Sequence, residues 1–162
     1  MQLLISDANI LIDLEEGLLL ESFFRLPYLF KVSDVLFEEE LRAQHQHLLG
    51  FGLLLGELTP DSMLYAFSLR KRYMGPSTND FFALALAKQE QCPLLTGDMA
   101  LRTTAEKEAV VVLGTLWVVE QMVTLQIIDK ATALAAYDKM QQAGRRLPWL
   151  VAKQRLEQIP QS

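Results

Sequence analysis

The chain has 162 residues, 51% of them apolar and 22% charged, which suits one folded domain with a sizeable core and excludes a disordered or fibrous protein. A formal charge of −5 excludes nucleic-acid binding through a general basic surface, so such a partner needs a local patch. Cys92 stands alone, which excludes an intrachain disulfide or a cysteine-based zinc site.

In chain order, "LLIS" at residues 3–6 reads as a short strand covered on both faces, because it is apolar without alternation. "ILIDLEEGLLLESFFRL" has apolar residues at helical spacing around Gly17 and is expected to end at Pro27. "YLFKVS" at 28–33 is a second strand, and "DVLFEEELRAQHQHLL" a helix with Asp34 as its N-cap. "TPDSMLYAFSLRKRY" begins a helix with Thr59 as cap and Pro60 at the first position. "GPSTNDFFALALAKQEQ" turns at Gly75-Pro76, then opens a helix with a capping box from Ser77 to Asp80. "PLLT" is a strand, "MALRTTAEKEA" a helix, "VVVLG" a strand and "TLWVVEQMVTLQII" a helix. The remaining tail reads as two helices broken at Gly144 and Pro148.

Strands alternating with helices predict an α/β fold, a three-layer α/β/α sandwich around a parallel sheet, with extra C-terminal helices. The expected division is a domain over 1–125 and a helical extension over 126–162 packed on it. The amino-terminal apolar run lacks a basic lead and stops at Asp7, and the longest apolar stretch, 110–119, is about half a membrane span. A cytoplasmic protein with no membrane segment is the expectation.

Asp7 and Asp98 each follow a short apolar strand and open a helical stretch. Parallel βαβ units place all such turns on one edge of the sheet, where ligands bind, so residues 91 positions apart share a crevice. Asp80 at the start of its helix, and one carboxylate of "EEEL", can face the same edge. Converging acids without basic partners repel one another, and a divalent cation removes the conflict. Oxygen-only donors suit Mg²⁺ or Mn²⁺, which activate water and stabilise charge on a phosphodiester under attack.

The stretches "LLISDANILIDL", "VSDVLFEEEL", "PSTNDFFALALAKQEQCPLLTGDMALR" and "VVVLGTLWVVEQMV" occur in the order and spacing of a known family. Over residues 1–125 the chain resembles the PIN-domain ribonucleases, which have a Rossmann-like fold and include the toxins of VapBC-type toxin-antitoxin pairs. The resemblance implies a Mg²⁺- or Mn²⁺-dependent endoribonuclease whose metal-binding and catalytic acids are Asp7, Glu39, Asp80 and Asp98. It places Asn9, Ser77 and Thr96 as small polar supports beside those acids. The implied partners are an RNA substrate, an antitoxin protein and a second copy in a homodimer, with the tail a surface for either protein.

Each acid also has a structural reading. Asp7 and Asp98 suit a helix cap or turn, and Asp80 favours its helix dipole. In "EEE", counting forward from Ser33-Asp34 selects Glu39 without an insertion. Counting back from Leu41 selects Glu40, which helical phase also places nearer Leu36, Phe37 and Leu41. Glu39 is taken, Glu40 stays open, and Glu38 is a solvated charge.

His45 and His47, two apart on a helix, are expected to diverge and share no metal. Asp13 is expected to be an exposed acid. The basic clusters at 70–72 and 145–146 are expected to be solvated, whereas Arg102, just after Asp98, is placed to meet a substrate phosphate. Phe23, Phe24, Phe81 and Phe82 are assigned to the core. A phosphatase of the haloacid dehalogenase type needs a second Asp where Asn9 stands, and a receiver domain needs a paired acid and a late Lys that are not in place. The remaining rival is a catalytically inert PIN-like module that binds RNA or a protein.

Overall fold

The computed structural model describes residues 1–160; the last two positions of the expected 126–162 extension lie outside the described residues. Five strands, β1 (Gln2–Ser6), β2 (Tyr28–Ser33), β3 (Leu54–Gly56), β4 (Leu94–Leu95) and β5 (Val112–Leu113), form one parallel sheet in the order β3-β2-β1-β4-β5. Their register pairs Leu4 with Phe30, Ile5 with Leu94, and Leu95 with Leu113. The chain order reverses direction between β1 and β4, so the carboxyl ends of these neighbours frame the crevice typical of such a switch point.

Helices cover both faces of the sheet, making the expected three-layer α/β/α sandwich. They are α1 (Ala8–Glu16), α2 (Leu20–Phe23), α3 (Asp34–Leu36), α4 (Arg42–His45), α5 (Leu48–Phe51) and α6 (Pro60–Arg72). After these come α7 (Thr78–Glu90), α8 (Met99–Lys107), α9 (Thr115–Thr124), α10 (Lys130–Gln142) and α11 (Trp149–Glu157). An unbroken run from Phe81 to Ala87 is buried where α7 crosses β1, β2 and β4, with α6 behind it. A helix apolar on all sides needs such double cover. The stacked rings of Phe23 and Phe30, 3.9 Å apart at their centroids, fill the core beside α2.

The C-terminal helices lie on the same core. A Cβ at Gly17 would fall 2.7 Å from Met140 Cε and 3.3 Å from the Ala136 carbonyl, so α10 packs close on the end of α1 and a side chain there would displace the Met140 terminus. Tyr137 and Met140 are fully buried there.

Several local expectations are corrected. The helix expected through Gly17 is two helices, because Gly17 closes α1 and Leu18 takes a positive φ of 59°. The helix expected from Asp34 starts from Ser33, whose side chain accepts from Leu36 N–H, while Asp34 binds Val35 N–H. That helix also does not run straight. Phe37–Leu41 is a π turn in which the Arg42 N–H donates to the Phe37 carbonyl five residues back, and the chain breaks again between His45 and Leu48. Strand β3 was not expected, since three residues carry too little pattern to read.

Candidate active site

Asp7 leaves β1 at the switch point with its side chain 2% exposed. Its backbone N–H donates to Leu95 at 3.0 Å, which continues the pairing of β1 with β4. Oδ1 accepts from Ile10 N–H at 3.0 Å and caps α1, while Oδ2 accepts from the Thr96 hydroxyl at 2.5 Å. Thr96, fully buried, also accepts from Asp98 N–H at 3.0 Å. One hydroxyl therefore locks the ends of the two strands together.

Asp98 caps α8 through Oδ1 and Leu101 N–H at 2.8 Å and is itself exposed. Asp80 and Ser77 form the expected capping box at the start of α7, with Ser77 N–H on Asp80 Oδ2 at 2.9 Å and Asp80 N–H on Ser77 Oγ at 3.1 Å. The structural readings of these acids are thus real. Burial pushes the Asp7 carboxyl up to about 7 against the hydrogen bonds from Thr96 and Ile10, and the charges of Asp80 and Asp13 push it further. Asp80 is raised by burial against its bonds to Ser77, with Asp98 adding repulsion. Glu40 is raised by burial against the Asn79 amide, with Asp80 and Glu39 adding repulsion. Asp80 is the common member of these couplings.

The π turn explains the two countings of "EEE". It holds about one more residue per turn than an α-helix, so the forward count from Ser33-Asp34 and the backward count from Leu41, which meet across it, disagree by one. Glu39 Oε2 accepts from Asn79 Nδ2 at 2.9 Å, and Glu40 is within reach of the same amide and of the Asp80 charge. Asn79, which the sequence reading passed over, has its buried Oδ1 without a hydrogen-bond partner. Its place one residue before Asp80 was the available signal.

Asp13 is not the exposed acid expected. It is 6% exposed, accepts from Thr115 Oγ1 at 2.9 Å, and pairs with Arg145 Nε at 2.6 Å. Burial raises its carboxyl, and Arg145 and Thr115 pull it back. Arg145 is therefore not solvated either; its second arm reaches Asn9 Oδ1 at 3.0 Å. Asn9, Asp13, Gly97, Asp98, Arg145 and Arg146 line a crevice of about 400 Å³. Arg102 lines a neighbouring hollow with Thr96, Gly97 and Trp117. His45 and His47 do not diverge, because α4 ends at His45 and the following turn brings both rings onto Glu15.

The crevice acids fit a hard divalent cation by their chemistry. All donors are oxygens, and among the described residues no Lys or Arg pairs with Asp7, Asp80, Asp98, Glu39 or Glu40. The orphaned Asn79 Oδ1 faces an environment short of donors, which a hydrated cation supplies. The carboxylates stand apart, as repulsion dictates: no three of them bring oxygens within 4.8 Å of one another among the described residues.

The DUF3368 model, a PIN domain, matches residues 3–161. The chain belongs to the PIN-domain family. The match takes in α10 and α11 as well as the sheet, and a nuclease-type fold comes with it. No curated protein matches the chain in sequence. Among the described residues, no helix of this PIN domain is long and apolar enough to cross a membrane.

Proposed function

We propose that this PIN domain is a Mg²⁺- or Mn²⁺-dependent endoribonuclease. The observation that carries the reading is that Asp7 and Asp98 meet at the switch point through the one Thr96 hydroxyl, with Asp80 close enough to add repulsion to both Asp7 and Glu40, while no Lys or Arg among the described residues forms an ion pair with any of them. Asp7, Asp80, Asp98 and a glutamate of the π turn hold the cation, Glu40 being favoured over Glu39 because an oxygen of Glu39 is already taken by the Asn79 amide. The bound cation supplies an activated water and charge stabilisation at the phosphodiester. Thr96 and Ser77 fix Asp7 and Asp80 by hydrogen bonds, and Asn79 orients the glutamates. Arg102 and Arg146, beside Asp98, meet flanking phosphates of the RNA.

The test is cleavage of a mixed, end-labelled RNA pool with Mg²⁺, Mn²⁺ or EDTA. Cleavage with either metal, lost in Asp7→Asn and in Asp98→Asn, is expected, together with a Mn²⁺-induced rise in melting temperature. Absence of both effects would leave the inert RNA- or protein-binding module. A toxin role rests on the family resemblance and predicts an antitoxin encoded by a neighbouring gene, whose product covers the acidic crevice. A cytoplasmic location and a homodimer belong to the same reading; sedimentation of the purified chain tests the dimer.

A further inference from the structure

Away from the crevice, Glu15 sits in the last turn of α1, eight residues beyond Asp7 and so on the order of 12 Å farther along the helix axis. The break after α4 folds the chain back so that His45 Nδ1 faces Glu15 Oε2 and His47 Nε2 faces Glu15 Oε1. One atom from each of the three residues lies within 4.8 Å of the other two, and no other group of three His, Cys, Asp or Glu does so among the described residues. A plain hydrogen-bonded cluster accounts for His47, whose ring bonds Glu15. His45 differs: its buried Nδ1 stands against the other oxygen of the same carboxylate but meets no hydrogen-bond geometry among the described residues, so both rings converge on one carboxylate with a ring nitrogen left without a hydrogen bond.

We propose that Glu15, His45 and His47 are a three-ligand transition-metal site that takes Zn²⁺, distinct from the acidic crevice. Two imidazoles and one carboxylate are a donor set for zinc, whereas Mg²⁺ and Mn²⁺ favour oxygen alone. Exposure rises from 13% for the His45 side chain through 26% for Glu15 to 48% for His47, so the cluster opens to solvent on the His47 side. Bound there, zinc ties α1 to α4, the direct continuation of the π turn that carries Glu39 and Glu40.

Chelator-treated full-length protein titrated with Co²⁺ provides the test, performed in an Asp7→Asn/Asp98→Asn background that disables the crevice. The expected result is one equivalent of Co²⁺ with the intense visible bands of a tetrahedral nitrogen and oxygen site, displaced by Zn²⁺, and a Zn²⁺-induced rise in melting temperature. His47→Gln and Glu15→Gln lose both signals, and equal far-UV circular dichroism and melting in EDTA verify that the half-exposed His47 variant folds. Weak octahedral bands only, no Zn²⁺ stabilisation, or signals that survive His47→Gln would overturn the assignment. None of these outcomes depends on RNA cleavage.

Discussion

Replacing Asp7 with Asn tests whether the crevice stores unfavourable charge. The Asp7 side chain is 2% exposed, and its carboxyl rises from 3.8 to about 7, chiefly through burial. In the unfolded chain it ionises near 3.8. Because the folded value is the higher one, the folded state holds the proton more tightly. Stability from this group is greatest below pH 3.8, falls as pH rises to about 7, and is constant above. At about 1.4 kcal/mol per pH unit, ionised Asp7 costs the folded protein about 4 kcal/mol at pH 8 without metal. An amide keeps the cap on Ile10 through its oxygen but turns an NH₂ toward Thr96, whose hydroxyl already accepts from Asp98 N–H, at a cost of about 1–2 kcal/mol. The net gain of about 2 kcal/mol at pH 8 raises the melting temperature by about 4–8 °C. Below pH 4 the variant becomes the less stable form, since only the amide's cost remains. Melts and urea titrations of both proteins in EDTA from pH 4 to 8.5 measure the difference. A variant no more stable than its parent at pH 8, or an offset that does not change with pH, would refute the reasoning.

Other substitutions probe the surroundings. Glu40→Gln is expected to lower RNA cleavage by at least about 100-fold and Glu39→Gln by about 10-fold, as expected for a ligand and for a group acting through Asn79; equal losses in single-turnover assays would show that the π turn does not discriminate. Arg145→Ala leaves buried Asp13 without its cation and lowers stability at pH 8 by about 2–3 kcal/mol, whereas adding Asp13→Asn restores part of it in a double-mutant cycle. Burial raises the Glu108 carboxyl, but bonds from Tyr65, Tyr73 and Arg72 win and hold it at about 2. Its contribution is therefore present above 4.5 and lost as pH falls toward 2. Glu108→Gln lowers stability by about 1–2 kcal/mol at pH 7 and by much less at pH 3, measured by urea denaturation.

The sheet and its switch point were readable because they rest on local signals. Apolar runs ending in Ser6-Asp7 and Thr96-Gly97-Asp98, each followed by helical spacing, are enough to place two acids on one edge. What was not readable depends on geometry that no fixed period describes. Phase-counting along "FEEEL" assumes about 100° per residue, and the π turn breaks that assumption where the glutamate must be chosen. The Asp13–Arg145 pair joins residues 132 positions apart, and an acid at a helical position carries no mark of a partner that far away. The histidines were misread for the same reason as the π turn, since both readings assumed one straight helix where the chain breaks.

The cap and the site are not competing explanations of the acids, because one carboxylate has two oxygens. Asp98 uses Oδ1 for Leu101 N–H and Asp80 uses Oδ2 for Ser77 N–H, and among the described residues the remaining oxygen of Asp98 accepts no protein hydrogen bond. Capping spends one oxygen to fix the rotamer and leaves the other aimed from a rigid helix start, a more exact placement than a free side chain would have. The same helix starts carry partial positive charge that offsets some of the repulsion among the acids. Asp7 is the exception that locates the strain: both its oxygens are engaged, it is the most buried of the set, and its carboxyl is driven highest. Under the proposed function, Asp7 is then the ligand whose ionisation limits metal binding, and Mn²⁺ affinity measured by titration calorimetry is expected to strengthen as pH rises through about 7; an affinity that does not change from pH 6 to 8 would refute it.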